Sequence, residues 1–292
     1  MPDTVTVALA IQAVQRALSA AGIVEAGGDA RRLVAAAAGV SGAELLSHPE
    51  RVLTAEQVAR LDASAARRAG REPVSRIIGM REFYGRPFAI SPDVLDPRPD
   101  SETVITAVLQ LVQEEGWGQR ALRIVDVGTG SGCLLATLLL ELPSATGTGI
   151  DISQPALDVA RGNWQALGVG GRAESVLADG LDGCDGRYDI LVSNPPYIPT
   201  GDIPGLEPEV RDFDPPLALD GGVDGLSFYR RILPEIRRVV PGGWAVLEIG
   251  HDQAAKVTAL AAKSAFGPGS PGIRIFKDLA GRCRCVAVGA RG

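Results

Sequence analysis

Cysteine and histidine are scarce in this sequence. The four cysteines (Cys133, Cys184, Cys283, Cys285) and two histidines (His48, His251) lie too far apart for a zinc cage or a disulfide framework. A reduced, cytoplasmic protein is expected. Long apolar runs are lacking as well, since Gly, Pro or a charged residue interrupts each one short of the roughly 18 residues that a membrane span needs. The first residues show no basic segment followed by an apolar one, so neither an anchor nor a signal peptide is expected. Positive charge is not in excess either. With 29 basic against 35 acidic side chains the net charge is −6, which excludes an indiscriminate binder of phosphate backbones. Residues 1–80 hold 9 basic and 8 acidic side chains, and residues 81–292 hold 20 and 27. The later part is therefore the acidic one, and stable nucleic-acid binding is not expected of it.

What is present is apolar surface. A hydrophobic fraction of 46% beside 22% charged residues describes a globular chain and excludes a wholly disordered one. At 292 residues, a single core gives way to two domains, or to one large domain with an appended module. From Thr4 to about Gly70, Ala, Leu, Val, Gln and Arg recur at helical spacing, as in Leu9, Val14 and Leu18, then Leu33, Val34 and Ala37. This predicts a helical domain over residues 1–72. Thr54, followed by Glu56 and Gln57, reads as the N-cap of a helix that ends near Gly70, with Pro73 closing the segment. Two β-prone runs between Arg76 and Ile90, separated by turn residues, predict a hairpin linker over residues 73–95.

From residue 96 to 292 strand and helix patterns alternate. Strands are expected at 122–127, 147–150, 173–177, 188–192 and 244–249, and helices at 133–142, 155–167, 226–240 and 253–264. Such alternation means an α/β domain whose parallel sheet is covered on both faces. Residues 272–276 and 282–288 lie close enough to pair antiparallel at a sheet edge. Cys283 and Cys285, two positions apart on that last strand, are expected on one face as core residues.

Three constellations carry chemistry. The first is Asp126-Val-Gly-Thr-Gly-Ser-Gly132, where a strand hands over to a helix. Gly128, Gly130 and Gly132, with Thr129 and Ser131 between them, let a ligand approach the backbone, and the helix start offers unpaired amides. The Gly-x-Gly-x-Gly spacing, with an acid on the preceding strand, favours S-adenosylmethionine over a nicotinamide dinucleotide. The second is Asp151, ending the next strand, where one carboxylate can take two ribose hydroxyls. Its other reading is a helix N-cap, which Ser153 could supply instead. Asp179, beside Gly180 after the third strand, either accepts from an adenine amino group or belongs to an ordinary Asp-Gly turn.

The third is Ser193-Asn-Pro-Pro-Tyr-Ile198, directly after a strand. Pro195 and Pro196 cannot continue a ladder, so they stiffen a loop at the carboxyl end of the sheet, where ligands bind in open α/β folds. The Asn194 side-chain carbonyl and the Pro195 main-chain carbonyl can accept from a planar NH2 group, and Tyr197 offers an aromatic face.

With these residues the chain resembles the peptide chain release factor glutamine methyltransferases, the HemK/PrmC family. Supporting segments are Arg76-Ile-Ile-Gly, Arg81-Glu-Phe-Tyr-Gly85, Pro97-Arg-Pro-Asp-Ser-Glu102, Glu209-Val-Arg, Leu217-Ala-Leu-Asp-Gly-Gly222, Asp224-Gly-Leu-Ser-Phe-Tyr-Arg230 and Asp278-Leu-Ala-Gly-Arg282. The resemblance implies a seven-stranded Rossmann-like class I methyltransferase domain over 96–292, joined by the hairpin to the helical domain. It implies methylation of the side-chain amide of the glutamine in the Gly-Gly-Gln motif of bacterial class 1 release factors. By position, the 128–132 loop, Asp151, Asp179, Gly180 and Asn194 would hold S-adenosylmethionine. Asn194, Pro195, Pro196 and Tyr197, with Arg98 and Phe83, would hold the glutamine. Asp96, Asp100 and Gly180 depart from the family pattern, the last lacking an aromatic side chain beside the adenine.

An amide nitrogen is a poor nucleophile, so the protein's task is positioning, and no general base is assigned. An adenine methyltransferase acting on a flipped base would need basic surface that the later part lacks. A non-catalytic adaptor would tolerate loss of Asn194 or of a loop glycine, and all are present. A Gly-Gly-Gln peptide offers little area to recognise. The helical domain is therefore expected to dock the release factor, with Phe83 and Tyr84 as an inner wall; the other reading is a stabilising cap.

Overall fold

Alanine-rich segments with well-placed caps build the first part of the chain. The computed structural model describes residues 5–182, 184, 186–264 and 272–289. Thr4, at the expected start of the helical region, lies outside the described residues. Helices α1 (Val7–Ala20), α2 (Ala26–Ala38), α3 (Gly42–Ser47), α4 (Ala55–Ala69) and α5 (Val74–Ile78) follow one another. Ser41 with Glu44, and Thr54 with Gln57, form reciprocal capping boxes at the starts of α3 and α4. Val14, Leu18, Leu33, Val34 and Leu61 share a core of their own. Leu9 points outward at 48% exposure, because five helical positions from Leu9 to Val14 turn through roughly 500°, about 140° off the buried stripe. Within this unit Arg68 is buried and bridges two acids, Asp29 at 2.7 Å and Glu209 at 3.0 Å, and Arg71 reaches Glu209 at 3.1 Å.

Two differences from the sequence reading concern this unit. The compact unit comprises Met1–Met80 together with Glu207–Phe213, so a stretch expected with the methyltransferase half groups with the helices instead. Also, Arg76, Ile77 and Ile78 are helical rather than the first arm of a hairpin. Pro73 sets up the single turn of α5, and Gly79, at φ 76°, ends it. The hairpin is shorter, β1 (Met80–Phe83) and β2 (Arg86–Ala89), turned by Tyr84 and Gly85 at φ 51° and 70°. Positive φ at both central positions matches the twist of a two-residue hairpin.

The second unit, Arg81–Leu206 with Asp214–Gly292, carries the sheet. Its chain runs α6 (Glu102–Glu114), β3 (Arg123–Val127), α7 (Cys133–Glu141), β4 (Thr146–Asp151), α8 (Gln154–Ala166), β5 (Ala173–Leu177) and β6 (Ile190–Ser193). After α9 (Pro208–Arg211), which belongs to the first unit, come α10 (Pro216–Leu219), α11 (Ser227–Ile232), α12 (Ile236–Val239), β7 (Trp244–Glu248), α13 (Ala254–Ser264), β8 (Ile273–Lys277) and β9 (Cys283–Gly289). Residues 226–240 are not one helix, because Pro234 lies in a 3-10 turn between α11 and α12.

Strand order is β5-β4-β3-β6-β7-β9-β8, parallel except for β9, which is antiparallel to β7 and β8. Ile124, Ile190, Val192 and Val246 pack with α6, α7 and α8 on one face, and Val125, Leu191, Ala245 and Leu247 with α11, α12 and α13 on the other. Cys285 joins the first core while Cys283 packs against the second, so the two do not share a face. A register shift at Phe276/Lys277 breaks the alternation there. No helix among the described residues is long and apolar enough to cross a membrane.

Candidate active site

The chain runs outward from β3 to β5, then returns to β6 on the other side of β3, so β3 and β6 flank a topological switch point. A cavity of about 640 Å³ opens at the carboxyl ends of these strands, lined by residues that follow β3, β4, β5 and β6. That volume suits a cofactor-sized ligand.

Gly128, Thr129, Gly130 and Ser131 form one wall. Gly128 and Gly130 take φ 73° and 53°, and a Cβ on either would project into open space. The loop is pinned to β4 by the Gly128 and Thr129 amides, which donate to the Ile150 carbonyl at 2.8 and 2.9 Å. Gly132 is different: it does not line the cavity, and a Cβ there would overlap the Trp164 indole, whose Nε1 donates to the Gly132 carbonyl at 3.1 Å. Its glycine serves the approach of α8. Asp126, fully buried, accepts from the Thr129 hydroxyl at 2.7 Å, while its Oδ1 has no partner. Burial pushes its carboxyl up to about 7, the Thr129 bond opposes the rise, and the nearby Asp151 charge adds to it.

Asp151 ends β4 on the cavity. Its Oδ2 accepts from the Gly130 amide and its Oδ1 from the Ser153 amide, each at 2.9 Å. The cap of α8 is Ser153, whose hydroxyl accepts from the Ala156 amide. Asp179 and Gly180 also line the cavity, with Arg231 beside them. The Arg231 guanidinium pairs with the Asp179 carboxylate at 2.8 Å and donates to its main-chain carbonyl. A Cβ on Gly180 would come within 2.6 Å of Arg231 Nη2. The space a larger side chain would take at 180 is thus filled from α11.

Asn194 and Pro196 line the cavity on the β6 side, whereas Pro195 and Tyr197 do not. Asn194 Nδ2 donates to Ser101 Oγ at 2.9 Å. The Tyr197 ring is partly buried against the core, and its hydroxyl donates to Glu248 Oε1 at 3.3 Å. Burial pushes the Tyr197 hydroxyl well above its ordinary range, reinforced by the Glu248 charge. The loop is braced from behind: Gln253 Nε2 donates to the Tyr197 carbonyl at 2.8 Å, and Ile198 exchanges main-chain bonds with Leu219 and Gly221.

Two expected substrate contacts lie elsewhere. Phe83 is buried in the core, edge-on to Phe88 at 6.2 Å, and is no inner wall of the cavity, because apolar packing claims its ring. Arg98 also does not line it; its guanidinium pairs with the buried Asp214. Of the departures from the family pattern, Asp96 is buried with Arg81 at 3.7 Å and Asp100 pairs with Arg284 at 2.8 Å. Sequence reading missed Ser101, Glu248, Gln253 and Arg231. Only the Glu in the apolar strand Trp244–Glu248 carried a signal, a charge where a buried strand should have none.

Residues 10–79 match the PrmC N-terminal domain family, and residues 104–203 the methyltransferase small domain family. Over 282 residues the chain is 43% identical to a release factor glutamine methyltransferase of Bradyrhizobium diazoefficiens, covering 95% of this chain and 94% of that relative. A release factor glutamine methyltransferase of Caulobacter vibrioides is 44% identical over 285 residues, with 97% and 96% covered. Among solved structures, the hMettl16 catalytic domain in complex with the MAT2A 3'UTR hairpin 6 aligns at a TM-score of 0.56 and 15% identity, covering 82% of this chain and 85% of that one. At that identity the likeness is one of fold.

Proposed function

The chain belongs to the release factor glutamine methyltransferase family, and from that premise we propose that its sheet-end cavity methylates the side-chain amide of the Gly-Gly-Gln glutamine of class 1 release factors. The observation that carries the reading is the convergence of Asp151 and Asn194 on one cavity beside an open glycine loop. The fit to S-adenosylmethionine rests on this chain's own atoms. Gly128 and Gly130 leave room for close approach, and Asp151 brings a carboxylate to the rim where ribose hydroxyls would meet it. When bound, that cofactor supplies a methyl group already activated on a sulfonium.

Asn194 Nδ2 is taken by Ser101, and among the described residues no hydrogen bond engages Asn194 Oδ1. Oδ1 is thus the acceptor for one hydrogen of a substrate NH2, and the Pro195 carbonyl, which does not line the cavity in this structure, would have to turn toward it to accept the other. Two acceptors on that group stabilise the partial positive charge that grows on nitrogen as its lone pair leaves amide resonance. The departing proton goes to water, and no base is needed.

The test is direct. The purified protein, labelled S-adenosylmethionine, class 1 release factors and duplex DNA are incubated together and the labelled residue is identified. Label on the Gly-Gly-Gln glutamine is expected. Label on adenine, or on another residue, would overturn the reading.

A further inference from the structure

Glu248 ends β7 beneath the Asn194 loop, buried to 1% exposure, and the chemistry above makes no use of it. Its Oε1 accepts from the Tyr197 hydroxyl at 3.3 Å, and its Oε2 has no hydrogen-bond partner. The Ser101 hydroxyl lies close enough to favour the charged carboxylate. Ser101 in turn lines the cavity and accepts from Asn194 Nδ2 at 2.9 Å.

A serine hydroxyl has one proton to give. A carboxylate can only accept, so an ionised Glu248 draws that proton toward itself and leaves Ser101 Oγ as an acceptor. The acceptor takes the NH2 end of Asn194, and the carbonyl end faces the cavity. A protonated Glu248 is itself a donor, which frees the Ser101 proton to turn toward Asn194. The amide can then flip and present NH2 to a substrate NH2, donor against donor.

We propose that Glu248 is a positioning residue for methyl transfer: acting through Ser101, its carboxylate selects the orientation in which Asn194 Oδ1 faces the substrate amide. This role rests on the function proposed above. Several groups face Glu248: Asp100 beside Ser101, Tyr197 on the loop, Cys133 on α7, Tyr229 on α11, and Arg284 and Cys285 on β9. Burial raises the Glu248 carboxyl to about 7, opposed by the Ser101 and Tyr197 hydroxyls and by Arg284, and reinforced by Asp100. Turnover should therefore climb with pH to a plateau above about 7, an acid limb set by Glu248.

The experiment compares wild type, Glu248→Gln, Ser101→Ala and the double variant, measuring kcat and KM for an intact release factor from pH 5.5 to 9, with S-adenosylhomocysteine affinity by calorimetry. Glutamine keeps the volume and can still accept from Tyr197, so a merely structural role would survive it. The expected result is a kcat about tenfold lower in Glu248→Gln, equivalent to one net hydrogen bond. KM and nucleoside affinity should stay within a few-fold, the acid limb should be lost, and the double variant should be no worse than Ser101→Ala. Turnover near wild type with the limb intact would overturn the proposal, as would additive losses in the double variant or a parallel loss of nucleoside affinity. A wild-type enzyme that leaves glutamine unmethylated while labelling another acceptor would overturn the function itself, and this role with it.

Discussion

Replacing Asp151 by Ala removes the acceptor for the Gly130 and Ser153 amides as well as the carboxylate offered to a ribose. Affinity for S-adenosylmethionine is expected to fall by about 1 to 3 kcal/mol, the cost of leaving polar groups unmatched in a partly dry site. Calorimetry showing unchanged affinity would remove Asp151 from the cofactor site. Asn194→Ala should keep its fold yet lose turnover about 100-fold or more, as with other oriented hydrogen-bonding groups, measured by circular dichroism and by methyl transfer to a release factor. Tyr197→Phe keeps the ring and loses only the hydroxyl on Glu248, so a milder defect in the same assay is expected. Asp151, Asn194, Gly128 and Gly130 come together on the cavity because each sits in a short motif next to a strand, whereas Gly132, in the same motif, packs against Trp164 instead. Ser101 was not legible in sequence, since it meets Asn194 only through the fold, 93 positions away along the chain. Phe83 misled because a β-prone aromatic next to a turn reads alike whether its ring faces a ligand or a core.

At the scale of elements, the Asn-Pro-Pro-Tyr loop owes its shape to the segment between α10 and α11. Gly225 sits at φ 72°, and a Cβ there would overlap the Tyr197 carbonyl that Gln253 also holds. Gly225→Ala is expected to cost at least about 1 to 3 kcal/mol of stability from backbone strain, before any clash, and to depress methyl transfer more than cofactor affinity. Urea denaturation alongside calorimetry checks both; an unchanged midpoint with full turnover would show that the loop does not depend on this brace. The buried parallel strands were readable as apolar runs punctuated by glycine. Helix α6 was not singled out, although Val104, Ile105, Val108, Leu111 and Val112 lie at helical spacing and are all buried. Its start follows the Pro97-Arg-Pro segment, where motif outweighed periodicity. The β9 alternation was misread because register shifts are set by the partner strand, which a single sequence does not display.

At the scale of the whole molecule, the helical unit and the sheet unit each bury a hydrophobic core of their own, and the cavity belongs entirely to the second. A Gly-Gly-Gln peptide is too small to select a complete protein, so recognition of an intact release factor requires more surface than the cavity rim provides. The helical unit is the candidate for that surface, and it has no cofactor motif to occupy it otherwise. Composition and Pro73 end the helical domain at residue 72, whereas the compact unit runs to Met80 and takes in Glu207–Phe213, which no local pattern shows because Glu209 joins it through Arg68 and Arg71. Deleting residues 1–80 strips Glu209 of both arginines, yet removes no residue from the buried hydrophobic clusters of the sheet unit. The truncated enzyme is expected to stay folded by circular dichroism and to bind S-adenosylhomocysteine as before. Its kcat/KM on an intact release factor should drop about tenfold or more beyond any drop on a Gly-Gly-Gln peptide, which corresponds to ~1.4 kcal/mol or more of docking energy. Equal losses on both substrates would mean that the helices shape the catalytic unit instead of holding the partner. Unfolding of the remainder would assign them the same stabilising role, with the Arg68 and Arg71 pairs to Glu209 as its anchor.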